Sequence, residues 1–87
     1  MHEMGIANSI LESVHKELHH HPGQRATKVG VCIGEFAGVD TESLRFCFEA
    51  LVKGNELEPL DLEIEWRQNS DALDLAYLEL DDESGSP

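Results

Sequence analysis

Residues 28–54, KVGVCIGEFAGVDTESLRFCFEALVKG, change their hydrophobic period part-way along. Up to Ile33 the apolar side chains alternate. Val29, Val31 and Ile33 fall on one face and Lys28, Gly30, Cys32 and Gly34 on the other, as in a half-buried strand. From Thr41 the apolar residues recur at three- and four-residue steps, and Leu44, Cys47, Phe48, Leu51 and Val52 make one stripe of a helix. Asp40 or Thr41 can cap that helix, Glu42 complements the positive end of its dipole, and Gly54 is placed for its C-terminal cap. Gly30, Gly34 and Gly38 weaken the strand taken alone, which predicts a bulge or a close backbone approach there.

On the N-terminal side, Ile6, Ala7, Ile10, Leu11, Val14 and Leu18 predict an amphipathic helix from Met4 to about His20, stopped at HHHPGQ by Pro22 and Gly23. On the C-terminal side, Leu60, Leu62, Ile64 and Trp66 alternate with Asp61, Glu63, Glu65 and Arg67, the pattern of a second strand. After the polar residues Asn69, Ser70 and Asp71, the stretch ALDLAYLELDD predicts a third strand returning antiparallel to the second. Its phase breaks: Leu73, Leu75 and Tyr77 share one face, Leu78 and Leu80 the other, so a bulge or burial against a partner chain is expected. A short strand at residues 1–3 is a further candidate. The fold class is α+β, two helices packed on one face of a small three-stranded sheet, with the other face exposed and acidic. Residues 1–82 form a single domain in this reading, and 83–87 a disordered tail.

The formal charge is −12, and it is uneven: residues 56–87 carry eleven acids and one base, residues 1–55 seven acids and five bases. Such a field repels phosphate backbones and favours cations or basic protein surfaces, so nucleic acid is not an expected partner. No stretch approaches a membrane span and the first residues are too polar for a signal peptide, which with two separated cysteines predicts a cytoplasmic protein without disulfides.

Four features could carry chemistry. At the terminus, the α-amine of Met1, the backbone nitrogens of His2 and Glu3 and the His2 imidazole can close small chelate rings around one ion. Planar nitrogen donors of this kind suit Ni(II) or Cu(II) better than zinc. A frayed terminus with an incidental histidine is the plainer reading of three residues alone. His15 and His19, one helical turn apart, are a candidate accessory metal pair extended by His20 and His21, set against a solvated helix end. Cys32 and Cys47 lie within apolar patterns and read as packing residues. The glycine-rich GVCIGEFAG lacks phosphate-loop spacing, and no nucleophile stands beside a base, so no enzyme is expected.

Three stretches taken together, MHEMGIANSILE, KVGVCIGEFAGVDTESLRFCFEALVKG and LEIEW, resemble in order and spacing the N-terminal domain of the HypA/HybF nickel metallochaperones of hydrogenase maturation, through residues 1–67. The resemblance implies that His2 is the essential nickel ligand with Met1 and Glu3 beside it. It also implies Ni(II) as cargo and delivery to the large subunit of a [NiFe] hydrogenase or a similar acceptor, with a maturation GTPase as a candidate second partner. Members of that family insert a zinc module with two Cys-x-x-Cys pairs before the last strand. Here a turn at 68–71 takes its place, so no zinc is expected, and Gly5 stands where serine is usual. Two readings remain: a nickel carrier that works without the module, or a scaffold that keeps the fold for protein contacts, with oligomerisation through a strand edge.

Overall fold

The computed structural model describes residues 2–82, in the order α1 (Glu3–Leu18), β1 (Gln24–Gly34), a 3-10 turn (Glu35–Ala37), α2 (Thr41–Val52), β2 (Asp61–Arg67) and β3 (Leu73–Asp82). The tail expected at 83–87 lies outside the described residues. The α+β class holds. The candidate strand at the terminus does not: Glu3 already belongs to α1 and His2 is its N-cap residue. Helical backbone there is favoured because Ile6 N–H closes the first helical bond onto His2 O at 3.1 Å.

α1 buries Ala7, Ile10, Leu11 and Val14, ends at Leu18, and is followed by a turn in which Gly23 takes a φ of +82°. α2 is capped by Asp40, whose carboxylate accepts from Ser43 N–H at 3.2 Å, and it buries Leu44, Phe48 and Val52. These residues join Val29, Val31 and Ile33 of β1 and Leu62 of β2 in one core cluster. Cys32 is buried too but stands outside that cluster, as its opposite phase on β1 requires.

The strand order is β2-β1-β3, with β1 parallel to β2 and antiparallel to β3. β3 therefore runs against β2 as the sequence predicts, but it is not paired with it; β1 lies between. Charge explains the preference. Side-by-side pairing of β2 and β3 would bring Asp61, Glu63 and Glu65 close to Asp74 and Glu79, whereas β1 interposes Lys28, Gly30 and Cys32. The connection from β2 to β3 crosses the end of β1, where Gly34 N–H donates to Ala72 O and Phe36 N–H to Ser70 O, each at 2.8 Å. A Cβ on Gly34 would collide with the Ser70 carbonyl, which is the close backbone approach expected of that glycine.

Gly30 has a different neighbour. It is in register with Glu63 on β2 and Tyr77 on β3, and the Tyr77 ring occupies the space a Cβ would take. The phenol donates to the Glu63 carboxylate, so one tyrosine ties both outer strands across the bare glycine. The phase break in β3 is a bulge: Gly30 pairs with Tyr77 and Val31 with Leu75, leaving Ala76 as the extra residue. Leu78 and Leu80 are thereby returned to the face of Leu73 and Leu75, opposite Val29 and Ala26, and Tyr77 leaves the face the alternation had assigned to it.

Candidate metal-binding terminus

Helix geometry leaves the first backbone N–H groups of α1 without intrahelical acceptors, and those at His2 and Glu3 belong to this set. A metal ion that displaces these amide protons therefore breaks no helical hydrogen bond, which would not hold one turn further along. The His2 side chain makes no capping bond and is exposed, so its imidazole is free to turn toward the chain terminus. Met1, whose amine would complete such a donor set, lies outside the described residues.

Glu3 is held by its side chain. Its carboxylate accepts from Asp40 N–H at 2.9 Å, while Asp40 in turn caps α2 through Ser43. The starts of the two helices are thus joined in series, which fixes the position of the Glu3 backbone nitrogen. The Asp40 N–H lowers the Glu3 carboxyl pKa below its ordinary value of 4.5, helped by Glu3's own backbone N–H. A contact across 37 residues has no local signature in the sequence, where Asp40 reads only as a helix cap. Gly5, on the first turn, would meet only His2 Cβ at 3.9 Å if it carried a Cβ, so the position has room for a small side chain such as serine.

His2 also lines a groove of about 410 Å³ between α1 and β3, whose walls include Ile6, Ile10, Ile33, Leu73 and Leu75. The leucines come from the β3 segment upstream of the bulge, where α1 leaves them half exposed.

At the far end of α1, His15 Nε2 lies 3.9 Å from Glu56 Oε2, and His21 Nε2 lies 3.8 Å from Glu17 Oε2. His19 forms the C-cap of the helix, with its N–H directed to the carbonyls of His15 and Lys16 at 3.3 Å. Among the described residues no group of three or more His, Cys, Asp or Glu side chains is gathered to hold a metal, at His15 and His19 or elsewhere. Cys32 and Cys47 are free thiols, the first buried and the second half-buried.

The family model described as hydrogenase/urease nickel incorporation metallochaperone, HypA, matches residues 1–71, which takes in the terminus, both helices, β1 and β2 and stops just short of β3. The chain is 45% identical over 65 residues to the hydrogenase maturation factor HypA of a Geobacter species, a match covering 75% of this chain and 56% of that protein. It is 43% identical over 65 residues to the HypA of Chlorobium limicola, at 75% and 56% coverage. Against the HypA of Chlorobaculum tepidum it is 42% identical over 65 residues, at 75% and 58% coverage. The chain thus spans somewhat more than half the length of the curated relatives it matches. With a family match over most of its length and relatives above 40% identity, the chain belongs to the HypA family.

Proposed function

We propose that this chain carries Ni(II) at Met1, His2 and Glu3 and hands it to the large subunit of a [NiFe] hydrogenase or a similar nickel acceptor during maturation, in the cytoplasm, with a maturation GTPase as a second partner. The observation that carries the reading is the division of roles at the start of α1. The backbone nitrogens of His2 and Glu3 are outside the helical hydrogen-bond ladder and the imidazole is exposed, whereas the Glu3 carboxylate is occupied by Asp40. Family membership supplies the cargo, since the matching family is described by nickel incorporation.

In this mechanism the terminal amine, the His2 and Glu3 amide nitrogens and the His2 imidazole surround the ion in a plane, with the amide protons released to solvent. The Glu3–Asp40 bond keeps the helix start from drifting while the ion is bound. The open axial directions admit an incoming thiolate or imidazole of the acceptor before the old ligands leave, so transfer proceeds by ligand exchange and not by catalysis. The site needs no zinc, and the 87 residues contain no Cys-x-x-Cys pair. Both helices cover one face of the sheet in this reading, leaving the acidic face open to basic partners.

Nickel titration of the untagged chain, followed by visible absorption, is expected to develop the yellow band of planar Ni(II), and His2→Ala or one residue added before Met1 is expected to remove it. A band that survives both changes would sink the proposal. A second reading, a protein-contact module that needs no metal, is favoured by the exposed Phe36, Phe46 and Trp66, which are 65%, 72% and 52% accessible. It predicts partner capture that is indifferent to chelator and to His2→Ala, and loss of capture under either treatment would count against it.

A further inference from the structure

β3 closes the sheet on one side, and among the described residues it pairs with β1 along one edge only. It carries Asp74, Glu79, Asp81 and Asp82 and no lysine or arginine. Register places Asp74 and Glu79 on the open face, opposite Cys32 and Lys28, and places Leu73 and Leu75 on the helix side, opposite Ile33 and Val31. Those two leucines are each 42% exposed and form the β3 wall of the groove that His2 also lines. At about 410 Å³ the groove is within the range of roughly 300–1,000 Å³ typical of binding pockets.

We propose that the outer edge of β3 and this groove bind an extended basic segment of a partner protein, which adds as a fourth strand. Strand addition satisfies the outward-facing backbone groups of β3, and the period of two sorts the segment's side chains. Its apolar residues enter the groove against Leu73, Leu75, Ile6 and Ile10, and its lysines or arginines lie on the open face beside Asp74 and Glu79. A second copy of this chain is a poor occupant, because its β3 would set four carboxylates against four of the same sign. That the partner is the nickel acceptor rests on the function proposed above. On that reading, a strand docked here places the acceptor's own ligand residues next to His2.

The probe is a synthetic acetylated peptide of four Lys-Val repeats, titrated into the isotope-labelled full chain and followed by NMR. Shifts are expected to centre on residues 73–80 and on the first turns of α1, with slowed amide exchange along β3. Leu73→Ser with Leu75→Ser is expected to weaken binding by about tenfold. The exposed double variant Asp74→Lys with Glu79→Lys, which leaves the core intact, should do the same while keeping a dispersed spectrum. A Lys-Ser control peptide binding as tightly as Lys-Val, or shifts centred on Glu63 and Glu65, would overturn the proposal in favour of unspecific charge attraction. A dimer of the free chain that Leu75→Ser dissociates would overturn it in favour of self-pairing. Nickel titration of the same variants separates the two ideas. Peptide binding with no planar nickel band removes the acceptor's identity and leaves the strand site standing, and a nickel band without peptide binding removes the strand site alone.

Discussion

Glu3 has two roles in the proposed function, and the two can be separated by a single substitution. Its carboxylate accepts from Asp40 N–H, and its backbone nitrogen is one of the proposed donors. Glu3→Gln removes the charge that makes the bond to Asp40 strong but leaves the backbone nitrogen in place. We expect this variant to keep a planar nickel band and to be less stable than the parent at neutral pH. The sign of the pH dependence follows from the lowered carboxyl pKa. A depressed value in the folded state contributes stability above the ordinary value of 4.5 that is lost as pH falls through the lowered one, so parent and variant should converge in acid. Urea unfolding across that range checks it, and a constant gap at all pH values would show that the carboxylate does not act through its charge. His2 was legible as a ligand candidate from its place in the chain. The Glu3–Asp40 contact was not, because hydrogen bonds between the starts of two helices depend on how the helices pack.

The strands show where local pattern carries an argument and where it stops. Alternation marks Val29, Val31, Ile33 and Leu62 as core-facing, and all are buried, but it fails in two places: Trp66, on the same face of β2, is 52% exposed, and the opposite face of β1, expected to be open, is buried at Gly30, Cys32 and Gly34. The break in β3 was visible as a conflict between Leu75 and Leu78, but its resolution at Ala76 belongs to the pairing with β1 and cannot be found in one strand alone. Strand order was hidden for the same reason: a short polar connection usually joins neighbours, and here it bridges the end of β1 instead. Gly34 is the residue that permits this crossing. Gly34→Ala is expected to cost about 1–3 kcal/mol by forcing the 68–72 connection off the strand end. Faster amide exchange at Gly34 and Phe36, whose N–H groups bond that connection, should accompany the loss. An unchanged unfolding midpoint would mean that the connection moves aside freely.

Across the chain, one end of the fold gathers the features that the proposed function needs. The starts of α1 and α2 meet through Glu3 and Asp40, β1 finishes at Gly34 beneath the β2–β3 connection, and His2 shares a groove with Leu73 and Leu75. The opposite end holds the remaining histidines, with His15 beside Glu56 and His21 beside Glu17. The proposed function puts the ion at the terminus, and the rival placement is on the histidines at the far end of α1, where no set of three ligands is gathered among the described residues; the two differ in the number of imidazoles they supply. X-ray absorption at the nickel edge, on the untagged chain loaded with one equivalent, distinguishes them directly. The proposed function predicts a planar, all-nitrogen shell with the scattering of a single imidazole, lost in His2→Ala and retained in a His15→Ala, His19→Ala variant. A six-coordinate shell with several imidazoles, unchanged by His2→Ala, would contradict it.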